Sequence, residues 1–178
     1  MDKVFLKKQF KISNFILLLT LLIVSMILIR KITMFFVLTL IASVIVYFNY
    51  YIRLPFDLSP VLFFSLVITR EFSFIFSAVF IIISGIIPMI LAGGTFDHTT
   101  IFYTSLIIGI NYLSSFFLSN NFIITAILIS VLHHVIAAIG SIIFGTDPRK
   151  EIINLGTKIL VDLFYILSFS ELLFSIIK

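Results

Sequence analysis

Cysteine and tryptophan are missing from this 178-residue chain, and charge is scarce, with Asp, Glu, Lys and Arg together at 11%. Without cysteine there is no disulfide, no thiolate metal centre and no cysteine nucleophile, and the redox compartment stays open. Without tryptophan the usual aromatic marker of a membrane interface is gone, so tyrosine has to take its place. Tyr47, Tyr50 and Tyr51 cluster where a long apolar run meets Arg53, which fits that role. Catalytic signatures are absent too. No Gly-x-Ser-x-Gly, His-Glu-x-x-His or Gly-x-Gly-Asp occurs, so the chain reads as a non-enzyme.

What is present is apolar surface. Hydrophobic residues make up 61% of the chain, including 22 Phe, and the mean hydropathy is +1.29. A soluble globular chain is about half apolar and about a quarter charged. A soluble fold of this length leaves too much surface in water to hide the excess. The remaining solvent is lipid, which implies an integral, multi-pass protein of the cell membrane with the bilayer as its first partner.

The formal net charge of +4 is unevenly spread. Lys3, Lys7, Lys8, Lys11, Arg30 and Lys31 face only Asp2 within residues 1–31, leaving six basic and seven acidic residues for the remainder. A basic leader before an apolar run marks the cytoplasmic side of a membrane helix. Four lysines with interleaved Phe5 and Phe10 make no nucleic-acid recognition motif, so no nucleic acid is expected as a partner. The run Ile12 to Ile29 exceeds the apolar region of a signal peptide, and Arg30-Lys31 follows it rather than a small-residue cleavage site. It reads as a retained helix.

A spanning helix needs about 20 mostly apolar residues. Ile12 to Ile29 and Ile32 to Ile52 are the first candidates, and Arg30-Lys31 between them predicts a tight hairpin. "RLPFDLSP" at 53–60 is a break, with Pro60 placed to start a helix in its first turn. Val61 to Thr69 is apolar but spans about half a bilayer. It should be a short, tilted or re-entrant element lodged against protein. Phe72 to Leu91 is full length, "AGGTFDHTT" at 92–100 closes it, and Ile101 to Leu118 follows. A turn at "SNN" (119–121), Phe122 to Phe144, the polar "GTDPRKE" at 145–151 and Ile152 to Ile177 complete the chain.

The expected fold is all-α: a polytopic transmembrane helical bundle of six long helices plus one short or re-entrant helix. It forms a single integral membrane domain over 1–178, with 1–31 as basic N-terminus and first helix and 32–178 as the core. The loop 92–100 holds no Lys or Arg, but 145–151 holds Arg149 and Lys150, so charge alone leaves the orientation open.

Polar residues inside such helices face other helices or a water-filled cavity. At about 100° per residue they sort into faces. Ser73, Ser77, Ser84 and Pro88 form a narrow stripe that suits close helix packing. Thr104, Asn111 and Ser115 share a face, and the Asn111 amide needs partners for its donors and acceptors. Ser130, His134, Ala137 and Ser141 share another, with His133 turned about 100° away. Neighbouring histidines cannot converge on one ion, since ligands on one helix face need a spacing of three or four. No metal or cofactor is therefore expected.

The last helix holds the densest polar stripe: Asn154, Lys158, Asp162 and Tyr165 within about 80° of arc. A central Lys or Asp costs roughly 2.5 to 3.5 kcal/mol to insert. At i and i+4 the two can pair, and Lys158 can also snorkel toward the interface. Asp162 is too short to do so and needs Lys158, another helix or water. The stripe is either a packing ion pair or the wall of a polar pocket. Asn111, His134, Asn154, Lys158, Asp162 and Tyr165 are the candidate substrate-binding residues.

The order of segments resembles the substrate-binding S components of energy-coupling factor transporters. The carriers of the resemblance are Phe56-Asp57-Leu58-Ser59-Pro60 before the short helix and Asn154-Leu155-Gly156-Thr157-Lys158 opening the last. It covers roughly residues 32 to 177; the MreD family of membrane scaffolds is similar in hydropathy. The chain departs from the S-component pattern at Arg70-Glu71, in the absence of an Ala-x-x-x-Ala docking pattern from Ile32–Ile52, and in its extra first helix. The resemblance implies a vitamin-like small-molecule ligand near the outer face. Asn154 and Lys158 would lie at that level, with His134, Ser141 and the 92–100 loop nearby. Lys158 would meet a carboxylate or phosphate, and Asp162 would orient Lys158 or accept from a donor group. It also implies a transmembrane coupling subunit and ATPases as partners, since no Walker motif occurs in this chain. The MreD-like likeness implies instead a non-catalytic scaffold or accessory subunit of a larger membrane complex.

Overall fold

The computed structural model describes residues 3–53, 56–118 and 121–177, with side chains described for Thr20 and from Ile29 onward. Every regular element among them is helical: α1 (Lys3–Ile52), α2 (Val61–Glu71), α3 (Phe74–Leu91), α4 (His98–Ser114), α5 (Phe122–Ile143) and α6 (Pro148–Ile177). Four stretches in the described residues are long and apolar enough to cross a membrane: Ile29–Ile52, α3, α5 and α6. With this composition they make the chain a membrane protein. The chain divides into two compact units, Met1–Phe36 and Val37–Lys178.

The first unit corrects an expectation. The hairpin predicted at Arg30-Lys31 does not form, and helix runs through both residues. Arg and Lys are good helix formers, and nothing nearby breaks a helix as Gly or Pro would. Thr33 reinforces the continuity by donating its hydroxyl to the Ile29 carbonyl at 2.8 Å. Two adjacent charges interrupt hydropathy without interrupting backbone hydrogen bonding. The long helices are accordingly fewer than expected.

The second unit holds the core. α2 is short, as expected, and its residues Val61 to Thr69 are all buried. It packs against α3, α4, α5 and α6, so protein rather than lipid surrounds it. Pro60 precedes α2 as its N-cap, and the Pro60 carbonyl accepts from Phe64 N at 2.9 Å.

Caps explain the remaining boundaries. Asp97 caps α4 by accepting from Thr99 N and Thr100 N, which starts that helix before the expected Ile101. It ends at Ser114 rather than Leu118, where the Ser114 and Ser115 hydroxyls donate back to the Asn111 and Tyr112 carbonyls. Such bonds compete with helix propagation. At 17 residues α4 is shorter than the expected span. Asn121 caps α5 through Ile124 N, and the rest of the turn expected at "SNN" lies outside the described residues. Asp147 accepts from Arg149 N at 2.9 Å, and Pro148 opens α6, the favoured place for proline.

α3 changes register midway. Residues Ile82–Ile86 are π-helical, and two residues on stands Pro88, whose ring crowds the preceding turn and lacks an N–H. The Ser84 hydroxyl donates to the Phe80 carbonyl at 2.7 Å within this stretch. Single π turns inside α-helices recur at functional sites.

One buried amide ties these helices together. Asn111 on α4 accepts from the hydroxyls of Thr69 (2.9 Å) and Ser77 (3.2 Å), and donates to Ser65 Oγ (2.9 Å) and the Ile107 carbonyl (2.8 Å). Both donors and both acceptor sites are filled. Asn111→Ala strips partners from three buried hydroxyls and should lower stability by about 1–3 kcal/mol. Reversible unfolding in mixed detergent micelles measures this, and a change below a few tenths would contradict the bridging role.

A second expectation concerns the α4 cap, which lies outside the spans. Hydrogen bonds from the Thr99 side chain and Thr100 backbone hold the Asp97 carboxyl at about 2, below its ordinary 3.8. Its contribution to the cap is whole above pH 3.8 and is lost as pH falls through about 2. A carbon-13 titration of Asp97 should place its midpoint at the low value, and a midpoint at the ordinary one would dismiss the cap.

Candidate functional site

A cavity of about 300 Å³ lies in the second unit. The last turns of α1 contribute Val46 and Tyr50, and the segment before α2 contributes Asp57 and Ser59. The π-helical part of α3 contributes Gly85 and Ile86, and the first turns of α4 contribute Thr99, Thr100 and Tyr103. His133 and His134 come from α5, with Lys158 and Asp162 from α6. Val61, Leu62, Ile81, Met89, Ile107 and Val161 supply apolar wall, so the lining is about half polar, in a protein with few polar side chains to place.

The α5–α6 interface explains Asp162. Its side chain is buried, and its Oδ2 accepts from Ser130 Oγ at 2.8 Å and meets His134 Nε2 at 2.7 Å. Ser130 and His134 are one turn apart, so both reach the same carboxylate oxygen. With Asp162 as a carboxylate, which only accepts, the proton of the second bond belongs to Nε2. The histidine proton position is thus inferred from the network.

Lys158 is not the partner of Asp162. The carboxylate's ion-pair contact is His134. Among the described residues, the Lys158 ammonium meets the Tyr103 ring face, 5.9 Å from its centroid. Tyr103 is itself fixed by a hydrogen bond between its hydroxyl and Ser141 Oγ. A half-buried cation over an aromatic face is held by about 0.5–1 kcal/mol, leaving the ammonium able to take an anion.

Three imidazole nitrogens in the cavity wall have no protein partner. Nδ1 and Nε2 of His133 and Nδ1 of His134 are buried and unbonded. An unsatisfied buried polar atom costs about 1–3 kcal/mol, and these three are enclosed within the wall rather than presented at the cavity surface. Among the described residues, no three His, Cys, Asp or Glu side chains are grouped to hold a metal ion.

The remaining candidates are placed elsewhere. Asn111 is inside the bundle with its amide fully used. Tyr165 donates its hydroxyl to the Leu58 carbonyl at 3.0 Å and stacks on Phe63. It therefore anchors the segment before α2, next to the cavity rather than in its wall. Asn154 is half-buried and is not part of the wall. The structure brings together His134, Lys158 and Asp162.

Residues outside the six substrate-binding candidates complete the site. Asp57 stands exposed at the mouth, accepting from Asn49 Nδ2 at 2.7 Å and Ser59 N at 2.9 Å. His133, turned from its neighbour's face, lines the same cavity because the cavity wraps that side of α5. Thr99, Thr100 and Tyr103 sit in a loop and first turn that hydropathy treats as boundary. The signal for the Ser130–His134–Asp162 cluster was present as two polar stripes on consecutive helices.

Comparison with family models, curated proteins and solved structures gives no match. The chemistry of the cavity has to be read from its own residues.

Double-mutant cycles separate the two readings of the α6 stripe. Asp162→Ala should cost about 1–3 kcal/mol through the stranded Ser130 and His134 groups, and Lys158→Ala less than about 1 kcal/mol. The coupling of 134 with 162 should be at least 0.5 kcal/mol, the threshold for contacting residues, and that of 158 with 162 should fall below it. The reverse ranking would restore the Lys158–Asp162 ion pair.

Proposed function

We propose that this chain is a solute-binding subunit of a membrane transporter, holding a small polar molecule in the cavity between α3, α4, α5 and α6. The observation that carries the reading is the Lys158 ammonium, which lines the cavity while the neighbouring carboxylate is satisfied by a different helix. A protein whose interior served packing alone would gain from pairing Lys158 with Asp162 and filling the space. Instead, about 300 Å³ is kept open beside an ammonium that is expensive to leave unbonded in a membrane.

The size suits a small solute, at the low end of the range for ligand pockets. Lys158 acts as a point charge for an anionic group. Tyr103 and the Thr99 and Thr100 hydroxyls supply donors and acceptors around it. The resemblance to energy-coupling factor S components points the same way, and on that reading a coupling subunit and ATPases drive uptake across the cell membrane. A non-catalytic scaffold or accessory subunit, as in the MreD-like likeness, is the alternative.

Native mass spectrometry of the purified chain, gently released from detergent, tests the proposal. The wild type should carry a small bound mass that is lost in Lys158→Ala. Gly85→Leu should lose it too, because a side chain at Gly85 would enter open cavity space, with nothing within 4 Å of its first carbon. Both variants should remain folded. No bound mass in the wild type, and no effect of filling the cavity, would favour the scaffold.

A further inference from the structure

Three side chains of the cavity wall are aspartate or lysine: Asp57, Lys158 and Asp162. Ser130 and His134 hold Asp162, which leaves one ammonium on α6 and one carboxylate in the segment before α2. These two do not pair with each other. Among the described residues no ion pair joins them. Lys158 carries its charge on a flexible four-carbon stem, yet the ammonium rests over the Tyr103 ring, 5.9 Å from the centroid. Opposite charges thus share one cavity and stand apart.

Each group also keeps bonding capacity in reserve. Asp57 accepts from Asn49 Nδ2 at 2.7 Å and from Ser59 N at 2.9 Å, both through Oδ1. Among the described residues its Oδ2 has no donor, so protein orients this carboxylate while using half of it. The ammonium of Lys158 has three donors, and among the described residues none of them meets an acceptor. Asp57 is exposed at the mouth and Lys158 is half-buried. A guest lying end to end between them would find an anion site inside and a cation site at the entrance.

We propose that the solute is a small zwitterion of the amino acid class, with its carboxylate at the Lys158 ammonium and its own ammonium at Oδ2 of Asp57. A plain carboxylate would answer Lys158 alone, and a plain amine would answer Asp57 alone. A guest of zero net charge answers both and adds no net charge to a space between spanning helices, where uncompensated charge is costly. The volume equals about ten water molecules at ~30 Å³ each, room for a linear amino acid of up to about six carbons. Val61, Leu62 and Met89 offer apolar wall to its stem. This inference rests on the cavity being a solute site, and the experiment separates the two.

Glycine, β-alanine, γ-aminobutyrate and ε-aminohexanoate serve as probes of rising charge separation, with butyrate and butylamine as controls of one charge each. They are titrated calorimetrically, near neutral pH, into the intact chain in phosphatidylglycerol nanodiscs, with empty discs as the blank. One amino acid should bind about tenfold or more tighter than either control. This series reads the charge separation in the wild type without any variant. Asp57→Asn keeps an oxygen for Asn49 and Ser59 N but loses the charge, and should bring the preferred amino acid down to the level of butyrate. Lys158→Met should bring it down to the level of butylamine. Either control binding as tightly as the best amino acid, or a preference unchanged in Asp57→Asn, would overturn the inference and leave the solute site standing. Loss of amino acid binding on changing the discs to phosphatidylethanolamine would give the site to a zwitterionic headgroup and overturn the solute assignment. No probe binding while the native mass spectrum shows a bound mass would overturn the inference alone, and no probe binding with no bound mass would overturn both.

Discussion

An eleven-residue helix cannot cross a bilayer, so α2 has to be solvated by protein along its length. That constraint organises the second unit. Four helices pack around α2, and its hydroxyls at Ser65 and Thr69 find a polar partner in Asn111 of α4. Lipid offers no hydrophobic reward for helix association, so close packing and interhelical hydrogen bonds have to supply it. The stripe of small residues on α3 belongs to the same arrangement, since Ser77 reaches the amide that also holds α2.

The reading from sequence succeeded where one rule dominates. Hydropathy located α3, α5 and α6, and the brevity of Val61 to Thr69 implied burial in protein. It failed where hydropathy and hydrogen bonding disagree. Arg30-Lys31 stops an apolar run, yet both residues propagate a helix as well as their neighbours do. At α4 the opposite happened: the apolar run continues to Leu118, but serine hydroxyls bonded back to carbonyls end the helix at Ser114.

At the site, the faces of α5 and α6 were legible as separate stripes, but their mutual register was not. Single-helix geometry makes Lys158 and Asp162 neighbours and cannot see Ser130 and His134 on the adjoining helix. Tertiary contact decided the matter, because a carboxylate held by two donors at 2.7 and 2.8 Å gains more than one held by a flexible ammonium in the weaker i, i+4 order. The 92–100 loop was expected near the ligand through the resemblance alone, and its own residues carried no such signal. Asp57, Thr99 and Thr100 lie in polar stretches whose composition suits exposure equally well.

The π turn in α3 gives the cavity wall a phase. A helix that carries one extra residue in a turn is offset by about 100° from its uninterrupted course. Gly85, Ile86 and Met89 all lie in or beyond the start of that stretch, and all reach the cavity. Loss of a single residue between Ile82 and Ile86 would let α-helix resume and swing Met89 and its neighbours toward lipid, while Ser77 stayed on its amide. Ile81, just before the π stretch, lines the cavity as well, so one end of this wall is fixed with the scaffold and only its far part takes its phase from the extra residue.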